Sequence, residues 1–146
     1  MTKDVLITVT GQQDYDKAPE EIQEIQVITR GNYYYKNNKH YILYEEVIPE
    51  ESKTIRNVVK IAEDYVEITK KGAINTQMMF TLGQQNMSPY ITEVGMIEIG
   101  VLARKIELLE MEGEIILELL YSLEMNHDYV SDSRIVVKVE QVNETK

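Results

Sequence analysis

Apolar residues fall at every second position through much of the chain, and this period is the first guide to its elements. In VLITV, Val5, Ile7 and Val9 share one face while Leu6 and Thr8 share the other. EIQVIT sets Ile25 and Val27 against Glu24 and Gln26, YVEIT groups Val66 with Ile68, and RIVVKVEQV groups Ile135, Val137 and Val139. A period of two in β-branched residues predicts half-buried strands, because successive strand residues point to opposite faces. Turn signals punctuate these runs at Gly11 (GQQD), Asn37 (NN), Pro49 (PEES), Gly72 (KKG), Gly83 (GQQN), Gly113 (EGE) and Asn126 (NHD). Several lie 11 to 13 residues apart, the rhythm of successive antiparallel strands rather than of strand–helix–strand units. No repeat, linker or low-complexity stretch divides the chain, so residues 1–146 read as one domain.

The stretch from Gly95 to Met125 supports two patterns at once. VLARKIELLEMEGEIILELLYSLEM is rich in Leu, Glu, Lys and Met, all good helix formers. From Ile115 onward, however, Ile115, Leu117, Leu119, Tyr121, Leu123 and Met125 are apolar in strict alternation. Ile115, Ile116, Leu119, Leu120 and Leu123 also form a helical stripe. Composition favours a helical hairpin, while alternation and the central EGE favour a β-hairpin.

The segment RGNYYYKNNKHYILYEE, residues 30–46, holds five of the ten tyrosines. Asparagine tolerates positive φ, so Asn37 and Asn38 suit the two central positions of a type I′ hairpin turn. That register pairs Tyr35 with His40, Tyr34 with Tyr41, Tyr33 with Ile42 and Arg30 with Glu45. Tyr33, Tyr35, His40, Ile42 and Tyr44 then share one face, and Tyr34, Tyr41 and Leu43 the other. Packing accounts for all five rings, although a tyrosine can also line a ligand cavity through its apolar ring and polar tip.

Composition narrows the classes. A chain of 146 residues can bury a core without staples. It has no cysteine, which excludes disulfides, thiolate catalysis and cysteine-based zinc sites. The N-terminal MTKDVLITVTGQQD lacks the features of a signal peptide, and no apolar run approaches the roughly 18 residues of a membrane-spanning helix. These readings predict a cytoplasmic protein with no membrane association. A formal charge of −10 argues against nucleic-acid binding, which draws on clustered lysine and arginine. Single-stranded stacking on the tyrosines would need a basic groove beside them, and none is visible in the sequence.

Chemistry is sparse. The only histidines are His40 and His127, without metal-ligand spacing. HDYVSDS has neither the period nor the central glycine of a calcium loop, so Asn126 and Asp128 read as turn residues. No serine sits in a nucleophile elbow, and Gly95 and Gly100 are too isolated for a phosphate-binding loop. The paired glutamates at Glu20, Glu45 and Glu50 read as solvated edges that deter strand-to-strand aggregation. Met78, Met79, Met87, Met96, Met111 and Met125 read first as core filling, and second as adaptable binding surface. No cofactor or metal is expected. Enzymatic function would require a cavity that brings His40 beside a carboxylate with perturbed ionisation.

Several short patterns occur in a distinctive order. Gly31 precedes the tyrosines, Tyr44 is followed by Glu45 and Glu46, and Gly72-Ala73, Phe80 with Gly83, then Tyr90, Thr92 and Gly95 come after. In this order, from about Ile25 to Val139, the chain resembles the YwiB-like family of uncharacterised bacterial proteins. The resemblance implies a calycin-like, lipocalin-resembling antiparallel β-barrel with no established activity, and it reads Gly95–Met125 as strands. VLARKIEL is unusually rich in leucine and charge for that pattern, so a local helix or bulge is expected there. The resulting expectation is an all-β protein, a single antiparallel barrel of about 8–10 strands joined by short turns. A barrel of this size is filled by its own side chains or holds one small ligand. The first reading is a barrel binding a small, largely apolar molecule through Tyr33, Tyr35, Tyr44, Met78 and Phe80. The alternative is a filled barrel that binds a protein partner or forms a homo-oligomer.

Overall fold

A computed structural model describes residues 4–15 and 22–142. They form ten antiparallel strands: β1 (Asp4–Tyr15), β2 (Ile22–Lys36), β3 (Lys39–Ile48), β4 (Lys53–Ile61), β5 (Val66–Gly72), β6 (Asn75–Phe80), β7 (Gln85–Thr92), β8 (Gly95–Met111), β9 (Glu114–Met125) and β10 (Asp128–Gln141). A 3-10 turn, Pro49–Glu51, joins β3 to β4. Each strand pairs with its sequence neighbours, and β1 closes the barrel on β10 from Val5↔Gln141 to Tyr15↔Ser131. This is an up-and-down barrel, the simplest way for a meander of hairpins to remove its own edges. The expected all-β barrel is therefore the observed fold.

The tyrosine hairpin forms as its sequence dictates. Asn37 and Asn38 have φ of 54° and 64°, the two positive values that a type I′ turn needs. Tyr33↔Ile42, Tyr34↔Tyr41 and Tyr35↔His40 stand opposite one another, and the Tyr34 and Tyr41 rings stack with centroids 4.8 Å apart. The ladder stops at Asn32↔Leu43, so the expected Arg30–Glu45 pair does not form. Arg30 instead reaches Asp4 on β1 at 3.0 Å, because β2 follows β1 beyond this point and leaves β3.

Gly11 is not a turn either. It lies inside β1, opposite Ile135 and Ile25, where pairing on both sides overrides the local preference. The paired glutamate at Glu20 lies outside the described residues. Gly31 is where β1, β2 and β3 crowd together. A Cβ there would stand 2.3 Å from the Leu43 carbonyl oxygen and 2.4 Å from Ile7 Cδ1.

Gly95–Met125 is two long strands, β8 and β9, and the expected irregularity is a bulge. The β8–β9 register slips between Ala103 and Lys105, leaving Arg104 as the extra residue. Inward positions are odd before it (Ile99, Val101, Ala103) and even after it (Ile106, Leu108), which explains why VLARKIEL shows no single period. On β9, Ile115, Leu117, Leu119, Tyr121 and Leu123 all point inward and are buried. The core also takes Val5, Ile7, Ile42, Val59, Val66, Ile68, Phe80, Val137 and Val139. The methionines depart from expectation: Met78 is buried, but Met87, Met96, Met111 and Met125 are exposed.

Candidate functional site

The barrel interior has three regions of different character. Its centre is filled by branched aliphatic residues and by Phe80, which meets Tyr121 edge to face at 5.1 Å between centroids.

One end carries a polar relay. The Tyr33 hydroxyl lies 2.7 Å from His40 Nδ1, and His40 Nε2 lies 2.9 Å from Glu110 Oε1. Neutral His40 satisfies both contacts when Nε2–H donates to Glu110 and Nδ1 accepts from Tyr33. Burial lowers the His40 pKa, with Glu110 opposing that shift, and burial raises the Tyr33 phenol, helped by Glu110 and Tyr35. His40 is thus beside a carboxylate, one of the conditions for catalysis. Around it, Tyr33 packs tilted to the ring and Tyr35 meets it edge-on, so His40 itself is buried while Glu110 is exposed.

The opposite end holds a recess of about 200 Å³. Val9, Gly11, Val27, Tyr44, Tyr121 and Ile135 contribute much of its wall, and Glu46 and Lys70 its polar side. The side chain missing at Gly11 helps to open it, since a Cβ there would meet nothing within 4 Å. Below the recess Asn57 is almost fully buried, at 1% exposure. Lys70 Nζ donates to Asn57 Oδ1 at 2.7 Å and to Glu46 Oε1 at 3.0 Å, while Asn57 Nδ2 donates to the same Glu46 oxygen at 2.9 Å. The three side chains come from adjacent strands at inward positions, so the barrel register builds the triangle. Burial lifts the Tyr44 phenol well above its ordinary range, with Glu46 adding to the effect. Tyr121 is pushed up to about 12 by burial, against a hydrogen bond from Ser133, and Tyr90 is raised by burial and then by Glu46. These rings remain neutral near pH 7, so they offer apolar faces and hydrogen bonds but no phenolate.

Of the residues singled out from the sequence, Tyr33, Tyr44, Met78 and Phe80 are buried on the inner face. Only Tyr44 touches the recess; Tyr33 belongs to the relay at the other end, and Met78 and Phe80 to the core. Tyr35 shares their face but stands past the rim, 56% exposed. Asn57 carries no expectation from the sequence, and Lys70, which the KKG signal assigns to a solvated turn, is instead a paired inward residue of β5, although a signal existed for both. Ile55, Asn57, Val59 and Ile61 alternate, as do Val66, Ile68 and Lys70, which places a polar residue on each apolar face. Glu110 carried no such signal, because the bulge at Arg104 shifts its face.

A larger concavity, about 890 Å³, lies where β2 and β3 part. Arg30, Asn32, Leu43, Glu45, Val47, Arg56 and Lys71 are among its lining residues, and it reaches Tyr44 and Asn57 through the gap. Among the described residues no group of three or more His, Asp or Glu is arranged to hold a metal ion.

Comparison with known proteins agrees with this architecture. The chain is 28% identical over 92 residues to the uncharacterized β-barrel protein YwiB of Bacillus subtilis (strain 168). That alignment covers 63% of this chain and 62% of YwiB, a little under two thirds of its length. The crystal structure of the ywiB protein from Bacillus subtilis superposes with a TM-score of 0.79 at 20% identity, over 98% of this chain and 96% of that one. The family model for a domain of unknown function, DUF1934, matches residues 7–137. With its ten-stranded barrel and a match over most of its length, the chain belongs to the DUF1934 family, whose function is not known.

Proposed function

We infer that this barrel binds a small molecule in the recess at its open end. One observation carries the reading: the barrel is filled at its centre, yet at one end holds a recess whose wall combines apolar side chains with an ion-paired lysine. At roughly 30 Å³ per water, about 200 Å³ corresponds to six or seven waters, smaller than the ~300–1,000 Å³ of drug-sized sites. The fitting ligand is therefore compact and amphipathic. Its apolar part packs on Tyr44, Tyr121, Val27 and Ile135, and a polar group joins the Lys70–Asn57–Glu46 triangle. This revises the expectation of a largely apolar ligand. It also moves the contacts from Met78 and Phe80, which are fully used in packing, to Tyr121 and Lys70. The cytoplasmic location read from the sequence belongs to the same proposal.

The test is native mass spectrometry of the protein from its own host, beside thermal-shift screening of small amphipathic metabolites. Val27→Trp, which fills the recess from a partly exposed position, and Lys70→Met, which removes the polar anchor, serve as controls. Binding that is present in the natural protein and lost in Val27→Trp supports the reading. Absence of any bound mass together with equal thermal shifts in all three proteins overturns it.

The filled centre favours a second reading, a structural or self-associating protein. A dimer seen by light scattering at micromolar concentration, with no ligand effect, would bear that out.

A further inference from the structure

The parting of β2 and β3 leaves two strand edges facing a groove. β2 pairs with β1 up to Asp14↔Ile22, but its ladder with β3 ends at Asn32↔Leu43. Residues 24–31 of β2 and Tyr44–Ile48 of β3 therefore each have a strand partner on one side only. An edge of this kind is ordinarily protected by lysine, proline or a covering segment. The β2 edge reads EIQVIT from Glu24, with neither lysine nor proline. Its Ile25 and Ile28 are 68% and 61% exposed, and Val47 across the gap is 65% exposed.

The groove beside these edges has a charge opposite to that of the chain. Arg30, Arg56 and Lys71 line it with one carboxylate, Glu45, although the whole chain carries −10. Arg56 and Lys71 stand directly opposite each other across the β4–β5 ladder. Like charges in that position repel, and Glu45, opposite Arg56 across the β3–β4 ladder, is the one carboxylate of the groove beside them. No ion pair forms to either of them among the described residues, whereas Lys53, Lys70, Lys105 and Lys138 are all paired.

We propose that this groove takes an extended acidic segment of a partner protein, added as a strand along the β2 edge. The main chain of residues 25–30 supplies about 20 Å of edge at roughly 3.3 Å per residue. The partner's carboxylates lie on the outer face toward Arg56 and Lys71, relieving their repulsion, and its alternate, apolar side chains turn to the inner face, toward exposed Ile25. The groove borders the recess at Tyr44 and Ile25, but the peptide test needs no small molecule and the small-molecule test needs no peptide, so each can fail alone.

The probe is a capped, fluorescein-labelled eight-residue peptide alternating Glu and Val, compared with its Lys/Val counterpart and with a Glu/Val form N-methylated at alternate residues. Fluorescence anisotropy reads affinity, and amide exchange reads protection of residues 25–30. The expected result is micromolar binding of the Glu/Val peptide with protection of those amides. At least tenfold weaker binding is expected for the other two peptides and for the Arg56→Glu/Lys71→Glu double variant. The exposed pair can be changed without touching the core, and a circular-dichroism melt checks this. No binding, equal binding of the N-methylated peptide, or equal binding of the Lys/Val peptide overturns the proposal. So does concentration-dependent protection of residues 25–30 without peptide, which would seat a second copy of the chain there instead.

Discussion

His40 shows how a single position acquires its character from its neighbours. It is buried between Tyr33 and Glu110, and burial lowers its pKa below the ordinary 6.5. The unfolded chain then takes up the proton at higher pH than the folded one. The contribution of neutral His40 is complete above about 6.5 and is lost as pH falls from there toward the lower folded value. Urea unfolding between pH 8 and pH 5 should show this loss, and His40→Gln should remove that part of the slope. An unchanged slope in the variant would place the proton elsewhere. Asn57 presents the opposite case, a buried polar group whose donors and acceptor are all satisfied by Glu46, Lys70 and the Ile55 carbonyl. Asn57→Ala strands parts of that triangle and should cost about 1–3 kcal/mol in urea unfolding. Phe80, fully buried against Tyr121, should cost about 3–5 kcal/mol as Phe80→Ala.

The tyrosine hairpin is the element most fully readable in advance, because its turn, register and face all follow from two asparagines and a period of two. At Asn38 the φ of 64° strains any residue with an ordinary side chain. Asn38→Ala should therefore lose about 1–2 kcal/mol, measured as a lower urea midpoint with an unchanged slope. Gly31→Ala should be worse than its small size suggests, since the added methyl meets the Leu43 carbonyl where β2 turns away from β3. The expected outcome is loss of the Asn32↔Leu43 end of the ladder, read as faster exchange of those amides while β8–β10 stay protected. The β8 strand was legible only in part. Its alternation is sound on either side of Arg104, but one extra residue reverses the face, and helix-forming side chains fill both halves. β1 was misread at Gly11 for a related reason. A glycine signals a turn only when no neighbouring strand claims its backbone, and here two do.

At the level of the molecule, the barrel closes by β1 meeting β10, a pairing between opposite ends of the chain. Closure gives the interior a filled centre, one end that carries Tyr33, His40 and Glu110, and one end with a recess. It also fixes where the sheet is weakest. Amide exchange should find the second edge of β2, residues 24–31, among the fastest-exchanging strand positions, and the core of β9 among the slowest. The reverse order would mean that the β2–β3 gap is paired in solution.

The sequence by itself determined most of the strands, several of their turns, the hairpin register and which residues share a face, because these depend on side-chain period and on positive-φ residues within a few positions. Gly95–Met125 read as strands only through the family resemblance. The barrel that the resemblance implies, with Tyr44, Met78 and Phe80 on its inner side, became fact only in the structure, where all three are buried. Only the tertiary structure decided which inward residues fill the core and which border a recess, since that depends on what stands across the barrel. It brought Lys70 and Glu46 to Asn57, Glu110 to His40, and Arg56 to Lys71, across strands whose registers local patterns do not encode. Long-range pairing and one bulged residue made those juxtapositions, and the candidate sites of this protein consist of them.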